Sequence, residues 1–190
     1  KWVKGVEVKA SEVASQTISF EQGSIKVNVV GADNKPLQSK DMCVFPAGET
    51  EKEVKCAGIY TDKYEFKLMP GVYDLHLRSA GTSEEKWVKG IALKASEIAA
   101  QVVSFDQGTL AVTVSRANGE KAKDNSICVY APGVTDKELA CAGIYTDNHK
   151  FILKPGTYDV KVLNYKTKEE QWSKGISVKA AETTNHNIVY

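Results

Sequence analysis

What the chain lacks narrows its function first. Its 25 Lys and Arg nearly cancel its 24 Asp and Glu, leaving a formal net charge of +1. There is thus no basic field of the kind that holds nucleic acid or an acidic membrane surface. No apolar run approaches the roughly 20 residues of a membrane-spanning helix, so membrane insertion is not expected. The chain has no Gly-x-Ser-x-Gly, no His-Glu-x-x-His and no Gly-rich phosphate loop, which removes the common hydrolase, metalloprotease and nucleotide signatures. Histidine is scarce, and His76, His149 and His186 do not recur at any common interval. We expect no enzyme, no cofactor and no metal site.

What is present is repetition. Trp2, Trp87 and Trp172 are spaced by 85 residues, as are Cys43 and Cys128, and Cys56 and Cys141. "CAGIYTD" at 56–62 returns unchanged at 141–147, and "PGVYD" at 70–74 returns as "PGTYD" at 155–159. A fixed period means tandem copies of one unit. A unit of this length exceeds a solenoid repeat and can bury its own core.

Within a unit the patterning has period two. "SIKVNVV" places Ile25, Val27 and Val29 on one face, and "TLAVTV" does the same with Leu110, Val112 and Val114. "YEFKL" and "VYDLHL" follow suit, and Gly and Pro punctuate the runs. Such alternation over short segments predicts half-buried strands. About seven strands per unit and no amphipathic helix predict an all-β chain. Two packed antiparallel sheets per unit is the economical arrangement. Because "GSIKVNV" starts a clean alternation, it reads as a first strand. Unit one then runs over 19–103, unit two over 104–190, and 1–18 are the closing strands of a preceding repeat. The chain opens on Lys1 rather than Met, which reads as a processed form or an excised fragment.

The phrases "GSIKVNV…GADNKPL", "YEFKLMPGVYDLHL" and "GIALKASE", with their counterparts "GTLAVTV…ANGEKA", "FILKPGTYDVKV" and "GISVKAAE", resemble the carboxypeptidase regulatory-like and transthyretin-like β-sandwiches. They are also similar to the Cna B-type repeats of bacterial surface proteins. The resemblance implies an immunoglobulin-like or prealbumin-like sandwich used as a spacer or adhesion module. Some Cna B-type domains carry a Lys–Asn bond from the first strand. Lys26 stands at that position in unit one but Ala111 replaces it in unit two, so Lys26 reads as an exposed strand residue. A fold of this kind hosts many functions and does not by itself assign one.

The cysteines are the strongest chemical signal. Each unit has two at the same interval, with a hairpin-like loop between, which predicts disulfides Cys43–Cys56 and Cys128–Cys141. Zinc would need tighter clusters. Disulfides point to an oxidising compartment: extracellular, cell surface or bacterial periplasm. Asp62 and Asp147 in the repeated "YTD" are too few for calcium and read as turn-capping residues. Asp74 and Asp159 read as exposed strand residues. Trp2, Trp87 and Trp172, with Tyr60 and Tyr145, are candidate binding aromatics that could stack on a sugar or anchor a protein. Packing over the sandwich edge is the simpler role for them.

Two functions survive. One is a structural or assembly protein, a rigid stalk or head-to-tail fibre, because "SFEQGS" and "SFDQGT" leave almost no linker between units. The other is an adhesion module that binds carbohydrate or another surface protein. For the first, Val6, Val8, Val13 and Ile18 form an apolar pattern suited to docking on a further copy, so self-association is expected.

Overall fold

The structure is a computed structural model that describes residues 4–17 and 20–190. Among the described residues fourteen strands build two units in succession. In the first, β1 (Gly23–Gly31), β4 (Lys63–Leu68) and β7 (Ile98–Phe105) form one sheet in the order β4-β1-β7. β2 (Ser39–Pro46), β3 (Lys55–Cys56), β5 (Gly71–Ser79) and β6 (Glu85–Leu93) form the other, in the order β3-β2-β5-β6. The second unit repeats this with β8 (Gly108–Ser115), β11 (Asn148–Leu153) and β14 (Thr183–Val189) in one sheet. Its other sheet holds β9 (Asn125–Tyr130), β10 (Glu138–Cys141), β12 (Gly156–Asn164) and β13 (Glu170–Val178). Two tandem β-sandwiches, with no helix among the described residues, are the result.

Each core is made by the inward positions of both sheets. In unit one Ile25, Val27 and Val29 of β1 meet Phe66 and Leu68 of β4, Val103 and Phe105 of β7, and Met42, Val44, Leu75, Leu77, Ile91 and Leu93 of the facing sheet. Unit two repeats this with Leu110, Val112, Val114, Phe151, Ile127, Val129, Val160 and Val162. Alternate residues are buried because successive side chains of a strand leave on opposite faces. Phe105 is fully buried in the first core, so that unit extends past the boundary at 103 that the repeat suggested.

Two connections pass between the sheets. The "LMPG" phrase joins β4, which lies in the three-stranded sheet, to β5, which lies in the four-stranded one. It is a corner that carries the chain from one sheet to the other, closed by the Tyr73 hydroxyl, which donates to the Met69 carbonyl at 2.7 Å. Tyr158 does the same to Lys154 at 2.8 Å. Because β6 also crosses sheets to reach β7, no hairpin dictates the direction of the closing strand, and β7 lies parallel to β1, as β14 does to β8.

The units are joined closely. β7 ends at Phe105 and β8 starts at Gly108, so only Asp106 and Gln107 lie between a closing strand and the next opening strand. A Cβ on Gly81 would stand 2.7 Å from both Gln107 Oε1 and Ile152 Cγ2. Lys154 Nζ lies 3.9 Å from Glu84 Oε2 across the same joint. A cavity of about 230 Å³ at this joint is lined from one side by Asp33, Lys35 and Leu37 and from the other by Gln107 and Glu182.

Candidate functional site

The disulfides Cys43–Cys56 and Cys128–Cys141 each cross-link directly opposed residues of neighbouring strands, with Cα–Cα distances of 4.1 Å. Their positions alternate with the core residues Met42 and Val44, so they lie on the outer face of the four-stranded sheet. There they staple the short edge strand β3, or β10 in unit two, to its neighbour.

The same outer face carries the tryptophans. Trp87 is half-buried, with its ring 5.2 Å from Phe45 and 4.6 Å from His76. Trp172 lies 4.9 Å from Tyr130, and Lys161 Nζ sits 5.7 Å from the centre of its ring. Both are half-buried and meet their strand neighbours at tilts of 38° to 49°. Trp2 lies outside the described residues.

Tyr60 and Tyr145 differ in kind. They are 52% and 63% exposed and sit at φ of 57° and 66°. A side-chain-bearing residue pays roughly 1–2 kcal/mol to adopt this left-handed conformation. Their loops are set by the backbone: the Asp62 carbonyl accepts the Val29 N–H at 2.7 Å, and the Thr61 carbonyl accepts the Ser39 N–H at 2.8 Å. Asp147 pairs through its carboxylate with Lys121 at 3.5 Å and accepts from the Asn148 side-chain amide at 2.7 Å. Lys26 lies on the outward face of β1, 3.8 Å from Glu65.

Asp74 and Asp159 correct the expectation of exposed residues: each is 4% exposed. A register shift between Tyr73 and Leu75 breaks the alternation and turns the Asp74 carboxylate toward the backbone. Gly48 N–H donates to Oδ2 at 3.0 Å and Gly90 N–H to Oδ1 at 2.7 Å. Gly133 and Gly175 do the same for Asp159. These donors, led by Gly48 and Gly133 respectively, hold both carboxyls below the ordinary carboxylate value, because hydrogen bonds to the charged form favour it.

Of the 1–18 segment, residues 4–17 carry no strand. Yet Gly5 and Ser11 stand at φ of 71° and 66°, matching Gly90 (71°) and Ser96 (59°) at the equivalent places of unit one. Val6 and Val8 are 44% and 68% exposed, whereas their counterparts Ile91 and Leu93 are 6% and 3%. Val13 stands apart. Its counterpart Ile98 is also exposed, at 57%, so this position is not part of the core face. Ile18 lies outside the described residues. Phe20, which the sequence-based reading passed over, is 67% exposed against 0% for its counterpart Phe105. The 85-residue interval was the available signal for it.

Among the described residues no group of three or more His, Cys, Asp or Glu is placed to hold a metal ion. No described helix is long and apolar enough to cross a membrane. No protein-family model matches the chain, and no curated protein matches it. Solved structures are similar to it in architecture. The Bacillus anthracis TIE protein matches at 17% identity over 89% of this chain and 34% of its own, with a TM-score of 0.36. The Streptococcal ancillary pilin matches at 13% identity over 92% and 65%, with a TM-score of 0.39. The shaft pilin of Lactobacillus rhamnosus GG matches at 12% identity over 88% and 96%, with a TM-score of 0.46. The chain thus spans about a third of the first of these and somewhat under two thirds of the second.

Proposed function

We propose that this chain is a non-catalytic structural protein of the cell surface or extracellular space, a row of β-sandwiches held at a restricted angle to make a stalk or head-to-tail fibre. One observation supports the reading: the sequence of the joint occurs twice. β7 enters β8 through Phe105, Asp106 and Gln107, and the 1–18 segment enters β1 through Phe20, Glu21 and Gln22. The segment thus has the sequence, the left-handed turn positions and the exposed Val6, Val8 and Phe20 of a closing pair of strands. It closes a further unit of the same kind, supplied by the same polypeptide or by a second copy. Supplied by a second copy, it makes a heterologous head-to-tail contact, which builds a fibre when its rotation does not close a ring. The disulfides support an oxidising location.

Analytical ultracentrifugation of the whole chain and of a version lacking 1–18 tests this. Concentration-dependent assembly that the deletion abolishes, with both units still folded, is the expected result. A monomer at high concentration whose sedimentation the deletion leaves unchanged would overturn the fibre.

A further inference from the structure

Unit two carries an aromatic pair that unit one lacks. Tyr145 and Tyr165 have ring centroids 6.1 Å apart and planes tilted by 46°. Tyr145 is largely exposed and Tyr165 half-buried. Their loops are tied together from beneath by Asn125, which is fully buried. Its side-chain amide donates to the carbonyls of Ala122 and of Thr146, next to Tyr145. Its oxygen accepts from the Asn164 amide at 3.0 Å, next to Tyr165. The Tyr165 N–H donates to the Asp124 carbonyl at 2.9 Å. The two loops that carry the rings are therefore held together by a shared, satisfied polar group, which lowers the cost of ordering them for a ligand.

The rim is polar. Lys168 Nζ stands 5.8 Å from the Tyr165 ring centre, and Lys166 Nζ lies 2.7 Å from Asp124 Oδ2. Tyrosine presents an apolar ring face and a hydroxyl tip. A sugar ring has the matching chemistry, with C–H faces to lie on the rings and hydroxyls to meet the charged rim. A protein partner would need roughly 800 Å² of complementary surface per side, and two tyrosines ringed by lysines and aspartates do not offer that. We propose that Tyr145 and Tyr165 form a carbohydrate-binding platform for a polysaccharide chain, independent of how the units assemble.

The repeat supplies its own control. Unit one keeps the loop and Tyr60, but the place of Tyr165 is taken by Ala80, whose N–H makes the equivalent bond to the Gln38 carbonyl at 3.2 Å. Tyr60 alone therefore offers one ring and no pair. Native affinity electrophoresis of the full chain in gels containing hydroxyethylcellulose, mannan, xylan or alginate reads binding as retardation. The wild type should be retarded by at least one of them. Tyr165→Ala and Tyr145→Asn should each reduce that retardation at least tenfold in apparent affinity. Asn is used because it tolerates the left-handed backbone, and circular dichroism checks that each variant folds. Tyr60→Ala should change nothing. No retardation on any polysaccharide, an unaffected Tyr165→Ala protein, or equal losses from Tyr60→Ala and Tyr145→Asn would each overturn the proposal.

Discussion

Replacing Asp74 by Ala removes a carboxylate that ties β5 to the turn after β2 and to the middle of β6. Its two oxygens accept the Gly48 and Gly90 N–H groups at 3.0 and 2.7 Å. Hydrogen bonds to a charged group contribute about 1.5–3 kcal/mol each, so two give roughly 3–6 kcal/mol. The lower end applies, since Gly48 and Gly90 are exposed and water can satisfy their N–H groups once the carboxylate is gone. We expect a loss of about 3 kcal/mol, and well under 1 kcal/mol for Lys67→Ala on the exposed face of β4. Urea unfolding followed by Trp87 fluorescence, with Trp2 and Trp172 changed to Phe, isolates unit one. pH supplies a second arm. The Asp74 carboxyl is held below its ordinary value of 3.8. Its contribution is therefore complete above that value and is lost as pH falls through the lower, folded-state value. The gap between wild type and Asp74→Ala should narrow on acidification below about pH 4. A loss under about 1 kcal/mol at neutral pH, or a gap that widens in acid, would refute the reasoning.

Phe66→Ala should cost about 3–5 kcal/mol in the same assay, and Phe151→Ala as much when Trp172 is the reporter and Trp2 and Trp87 are changed to Phe, because each ring is buried within its unit's core. Non-reducing peptide mapping should find Cys43 joined to Cys56 and Cys128 to Cys141. Replacing one pair with Ser should destabilise its unit by about 3 kcal/mol and raise amide exchange first around the edge strand it staples. Gly81→Val should leave the unfolding of both units unchanged but alter the small-angle scattering profile, since the added carbons meet Gln107 and Ile152. An unaltered profile would mean that the joint does not hold the units at a fixed angle.

Strands and core positions were legible because burial on one face imposes period two, and the 85-residue interval checks each assignment against a second copy. Which strands share a sheet was less legible. β4 and β5 alternate as a hairpin would, and nothing local in "KLMPGVY" distinguishes a tight turn from a corner between sheets. The difference lies in packing, since Leu68 and Leu75 enter the same core from opposite sides. Asp74 was misplaced for a related reason. A register shift beside it breaks the alternation at one residue, and an acidic residue between Tyr and Leu gives no sign that two backbone donors await it.

The repeat that revealed so much also conceals. Comparing units ranks residues by whether they recur, which brought Trp87, Trp172, Tyr60 and Tyr145 forward and left Tyr165 unnoticed opposite Ala80. Recurrence selects what every unit needs in order to fold, and the packed tryptophans fit that description. A residue that serves one unit alone must break the pattern. Tyr165 does so on a scaffold that changes with it: Asn125 and Asn164 supply a buried amide link, while unit one has Ser39 bonded to backbone carbonyls of Asp41 and Arg78 instead. Several linked departures from a repeat, gathered at one exposed place, point to a role in unit two that packing does not require. That is why the pair of rings, and not the repeated tryptophans, is where a ligand is best sought.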